Sequence, residues 1–161
     1  MMASKPAPIY CCDTSSLLHA WRRAYPPKSF KSFWGKLDDL IGDGRLVSSI
    51  EVYNELEKKD DDVFVWAKDR RDIFLEIDDS VQVAMLHVMG TYPRLVDTVK
   101  GKSGADPFVI AQALCASPQL TVLHQEIGGS LNSPKIPFVC EQESLRHIDV
   151  LTLIDEEGWS F

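Results

Sequence analysis

The sequence predicts an α/β fold of three layers, with a central, mainly parallel sheet covered by helices on both faces. Three observations carry this prediction. Short apolar runs of strand length occur at 7–12, 45–48, 120–124 and 136–140. Helical periodicity fills the intervals between them, and Pro26, Pro27, Gly42, Gly44 and Pro118 mark where helices stop. Strands that alternate with helices are joined by crossovers, which build parallel sheets buried on both sides.

Taken in order, the run at 7–12 leads into "DTSSLLHAW", where Asp13 stands just before the helical pattern of Leu17, Leu18 and Trp21. Asp is a good N-cap, so a helix over 14–24 is expected, followed by another over 29–42. After the second strand, helices are expected over 49–59 and 62–76. In the latter, Val63, Trp66, Ile73, Phe74 and Ile77 face inward. With the next periodic segment, 80–91, this forms a helical hairpin appended to the sheet. The stretch "VDTVKGKSGADP", residues 96–107, is the nearest to a flexible break, and "ADPFVIAQAL" then opens a helix over 107–117 with Pro107 in its first turn. Helices over 141–147 and 149–157 complete the pattern.

At 161 residues, 45% apolar and 25% charged, the chain is expected to form a single domain over 1–161. No apolar run approaches the roughly 20 residues of a membrane helix. "MMASKPAP" lacks the apolar core of a secretory signal, so a cytoplasmic protein with no membrane partner is expected. Cys11, Cys12, Cys115 and Cys140 show no zinc-ligand spacing and read as buried thiols. A net charge of -7 gives no general attraction to nucleic acid, although basic residues and aromatics cluster in "WRRAYPPKSFK" and "WAKDRR".

The acids follow the strands. Asp13 ends the first and Glu55 lies in the helix after the second, with Glu51 one turn earlier on nearly the same face. Asp106 opens the helix before the third strand, and Glu126 follows that strand in "LTVLHQE". Strand ends of one polarity meet at one edge of a parallel sheet, so these four carboxylates can converge. Close carboxylates repel one another unless a cation neutralises them, and oxygen ligands suit Mg²⁺ or Mn²⁺. Singly, each acid has a plainer reading: Asp13 and Asp106 as helix caps, and Glu55 as a surface acid paired with Lys58 or Lys59. His19 and His87 lie in apolar helical patterns and read as structural, while His124 lies nearer the acids.

"IYCCDTSSLL", "VSSIEVYNEL", "GADPFVIAQAL" and "LTVLHQE", taken in this order, resemble the four motifs of the PIN domain, the nuclease fold of VapC-type toxins. The resemblance covers most of the chain. It implies a three-layer α/β/α fold and a Mg- or Mn-dependent endoribonuclease that hydrolyses RNA phosphodiester bonds. It further implies a homodimer, and the toxin of a type II toxin-antitoxin pair held by a cognate antitoxin. Carried onto this sequence, the catalytic and metal-binding residues are Asp13, Glu55, Asp106 and Glu126, with Ser15 placed to orient water or a carboxylate. The fourth motif departs from the family, having His124 where Thr is usual and Glu126 where many relatives have Asp. The alternative is a catalytically inactive PIN-like scaffold that binds a partner protein.

Overall fold

The computed structural model describes residues 8–95 and 104–161. The predicted break at 96–107 therefore lies, up to residue 103, outside the described residues.

The elements run β1 (Tyr10–Cys12), α1 (Thr14–His19), a π-helical turn (Ala20–Ala24), α2 (Lys31–Gly42), β2 (Leu46–Ser49), α3 (Ile50–Lys59), α4 (Asp61–Lys68) and β3 (Phe74–Leu75). The second half contributes α5 (Asp79–Thr91), α6 (Asp106–Cys115), β4 (Thr121–Leu123), α7 (Ile136–Gln142), β5 (His147–Ile148) and α8 (Val150–Glu157). The five strands are all parallel, in the order β3-β2-β1-β4-β5. The chain winds outward from β1 through β2 to β3, returns across the sheet, and continues through β4 to β5. The order therefore reverses between β1 and β4, the position at which open α/β sheets hold ligands beyond their strands' carboxyl ends.

Side chains of β1 alternate between the two helical layers. Cys11 faces α6, its Sγ 3.9 Å from the carbonyl of Val109, and α6 packs across β1, β2 and β4. On the other face Cys12 shares a small apolar cavity with Leu17, Phe33, Leu37, Val150 and Leu153, which come from α1, α2 and α8. Phe33 is the hub of this layer, stacked 4.5 Å from Tyr25 and edge-on to Trp34 at 5.3 Å and Trp159 at 6.0 Å. Trp34 continues the cluster to Trp21 and Trp66.

At the amino end of the sheet, Tyr10 donates its hydroxyl to Glu157 at 2.6 Å and Glu156 at 2.9 Å. Arg45 grips Glu157 through two bonds of 2.7 and 2.8 Å, and Arg146 pairs with Glu156. This clasp fixes α8 against the strands.

Three details differ from the sequence prediction. The run 136–140, read as a strand, is the first turn and a half of α7: Pro137 sits in its opening turn, where a missing N–H leaves no helical bond unmade. The expected helix over 62–76 ends as α4 at Lys68, and β3 then separates α4 from α5 within the predicted helical hairpin. β5, a strand of two residues at His147–Ile148, falls across the end of the helix expected over 141–147. No helix among the described residues is long and apolar enough to cross a membrane. All four cysteines are free, and Cys11, Cys12 and Cys140 are buried as expected.

Candidate metal centre

Asp13 is both cap and candidate ligand. Its backbone N–H extends the ladder to the carbonyl of Leu123, and Oδ1 accepts the N–H of Ser16 at 2.9 Å, capping α1. Ser15 donates its hydroxyl to the same carboxylate, 2.7 Å from Oδ2 and 2.9 Å from Oδ1. The Ser15 oxygen also accepts the N–H of Gln125 at 3.0 Å. One hydroxyl thereby ties the first acidic motif to the loop carrying the fourth.

Asp106 does not cap its helix. The N-cap of α6 is Ala105, without a side-chain capping bond, and Asp106 is buried, with 7% of the residue exposed. It meets Asp13 and Glu126 instead: each of the three offers an oxygen, and these lie within 4.8 Å of one another. The capping explanation thus accounts for Asp13 and fails for Asp106.

Glu126 is held from three directions. Its Oε2 accepts the N–H of Ile136 at 3.0 Å, the first residue of α7, and Ser15 holds the preceding Gln125. Its own N–H is accepted by His124 Nδ1 at 3.0 Å. The intervening loop turns back at Gly128 and Gly129, both with positive φ, and a Cβ on Gly129 would stand 2.9 Å from the nitrogen of Lys135.

Because His124 Nδ1 accepts, its neutral ring carries the proton on Nε2 and donates it to His147 Nδ1 at 2.8 Å. Burial first, then the neighbouring His147, pushes His124 down to about 4, so the ring is neutral at physiological pH. Its role is to orient the fourth acid. His147 was not legible as its partner, since the contact depends on the pairing of β4 with β5.

Glu55 is not one of the three gathered acids. Its Oε2 accepts the N–H of Ala105 at 3.4 Å, next to Asp106, and Oε1 pairs with Lys59 Nζ at 3.5 Å. Through that backbone contact it stands one residue from Asp106, and its charge reaches Asp106.

Burial is the largest influence on Asp13 and Asp106 and raises both above the ordinary carboxylate range. The Glu126 carboxylate raises each further, and Asp13 and Glu55 add to the effect on Asp106. An all-oxygen donor set under this repulsion fits a hard divalent cation.

The sign for stability follows. An acid whose pKa is raised by folding stabilises the protein below its unfolded value, and that stability is lost as pH rises through the folded value. The metal-free protein should lose stability as pH rises from the ordinary carboxylate range through neutrality. A cation that neutralises the gathered acids should restore it. The gain in melting temperature on adding Mn²⁺ should thus be larger at about pH 8 than at about pH 5.5. Equal gains at both would contradict metal binding at these acids.

A family model described as "Domain of unknown function (DUF4411)" matches residues 10–161. The chain belongs to the DUF4411 family. Among solved structures, this DUF4411 domain is similar to a chain in the crystal structure of VapBC2 from Rickettsia felis bound to a DNA fragment from its promoter. The TM-score is 0.51 and the identity 13%, over 88% of this chain and 98% of that one. No curated protein matches the DUF4411 chain. The structural likeness agrees with the PIN resemblance of the four motifs, and the fold is PIN-like.

Proposed function

We propose that this DUF4411 domain is a Mg- or Mn-dependent endoribonuclease that hydrolyses RNA phosphodiester bonds, acting in the cytoplasm as the toxin of a type II toxin-antitoxin pair. The observation that carries the reading is the convergence of Asp13, Asp106 and Glu126 at the switch point of a PIN-like sheet. The likeness to VapBC2 supports a cognate antitoxin; a homodimer and a single domain over 1–161 belong to the same proposal.

Asp13, Asp106 and Glu126 would hold the ion, with Glu55 completing the acidic wall. A bound divalent ion supplies an activated water and offsets charge developing on the phosphate. Everything else falls to the side chains. Asp13 is immobilised by its cap, so its carboxylate has little freedom to lose when it binds. Ser15 fixes the spacing between Asp13 and the Glu126 loop. Neutral His124, with its acceptor nitrogen turned to Glu126, keeps the fourth acid facing the other two.

Incubation of defined single-stranded RNAs with Mg²⁺, Mn²⁺ or EDTA tests this directly. Cleavage is expected with either metal and should disappear with EDTA. Absence of metal-dependent cleavage, with the acids intact and Mn²⁺ bound, would instead favour the inactive scaffold, because the altered fourth motif of His124 and Glu126 is the feature that separates this site from its relatives.

A further inference from the structure

We infer that Lys59 is a substrate contact, its ammonium taking a backbone phosphate of single-stranded RNA at the rim of the carboxylate centre. The inference rests on the ribonuclease reading above.

A wall of carboxylates repels a phosphodiester, and a chain of net charge -7 offers no broad attraction to offset it. Approach requires cations placed at the centre itself. The basic residues of "WAKDRR" face other partners: Lys68 lies over the ring of Phe64, Arg70 engages Asp38 and the face of Trp66, and Arg71 engages Glu76 and the face of Tyr53. Lys59 is different, because its partner is Glu55, whose other oxygen touches the backbone N–H beside Asp106.

The pair is lopsided. The side chain of Glu55 is 10% exposed and that of Lys59 42%, so the ammonium is the member of the pair that reaches solvent. The pair, at 3.5 Å and one helical turn apart, joins a largely buried carboxylate to an ammonium open to a further partner. Lysine suits a second contact there, being a point charge with three donors on a flexible stem.

The backbone beneath it is fixed. Arg22, on the π-helical turn after α1, donates from Nη2 to the carbonyl of Lys59 at 3.0 Å and from Nε to Asp60 Oδ2 at 2.8 Å. Asp60 in turn caps α4 through the N–H groups of Asp62 and Val63. Arg22 is thus a positioning residue: it anchors the end of α3 through the Lys59 carbonyl and leaves the ammonium to Glu55.

Anisotropy of a fluorescein-labelled single-stranded RNA, measured with Asp106→Asn protein to prevent cleavage, tests the inference. Adding Lys59→Ala should weaken binding about fivefold to tenfold and lower the slope of log affinity against log salt by about 0.7, the value of one phosphate contact on a single strand. Lys59→Arg should retain most of the affinity. Calorimetry of Mn²⁺ binding to the single variant Lys59→Ala supplies the second readout. Removing a cation beside the acids should leave Mn²⁺ affinity unchanged or tighter, whereas local unfolding would weaken both ligands. Unchanged RNA affinity and salt slope in a protein whose wild type cleaves RNA would overturn the role of Lys59 and leave the nuclease reading standing, as would joint loss of RNA and Mn²⁺ binding. A wild type that neither binds nor cleaves RNA with Mn²⁺ would remove both.

Discussion

Asp106→Asn should reduce Mn²⁺-dependent RNA cleavage by more than about a hundredfold, beyond the range reported for groups that merely orient metal ligands. The substitution preserves shape and removes the charge on which the other two acids converge. The metal-free variant should at the same time be more stable than wild type at about pH 8, because burial and Glu126 both oppose ionisation of Asp106. The two effects have opposite signs, which separates loss of chemistry from loss of fold. Cleavage assays on purified protein, paired with thermal melting in EDTA, measure both. Full cleavage by the variant would contradict the assignment of Asp106 as a ligand, and a lower melting temperature would contradict the electrostatic account.

Phe33→Ala should be the most damaging single change to the fold. Phe33 is fully buried and touches Tyr25, Trp34, Trp159 and Phe161, so truncation removes the hub of the aromatic layer and leaves a void between α2 and α8. Loss of a buried Phe costs about 3–5 kcal/mol. Against a total stability of about 5–15 kcal/mol that is a large fraction, and the melting temperature should fall by roughly 10 °C. Denaturant and thermal unfolding of the metal-free protein would record it. A loss under about 1 kcal/mol would mean that neighbouring rings repack into the gap.

Much of this architecture was legible from residue pattern. β1, β2 and β4 announced themselves because each is an apolar run bounded by turn residues, α5 because of its periodic segment, and α6 because Pro107 stands where a helix begins. β3 and β5 are two residues each, too short to carry any period, and exist only because a neighbouring strand offers its edge. The apolar run at the start of α7 could serve strand or helix equally well; Pro137 and the polar Glu141 and Gln142 after it were the available signal.

The acidic centre was legible for a different reason. Each carboxylate alone had an ordinary explanation, but their placement after successive strands did not, and three of the four meet. The pairing of Glu55 with Lys59 was legible from their spacing of four residues, whereas its contact with the backbone of Ala105 is a neighbourhood in space that spacing along the chain does not encode.

The reversal of strand order has a temporal consequence. Ser15 and Gln125, which join the two halves of the acidic centre, are 110 positions apart, and Tyr10 and the Glu157 that secures it are 147 apart. Contacts of such separation close long loops and cannot form until both partners have been synthesised. On a ribosome, the first strand emerges with its Asp13 long before β4 can lie beside it, so the nascent polypeptide carries an incomplete centre for most of its synthesis. Whatever chemistry the finished molecule performs is withheld from the machinery making it until the second half has been delivered.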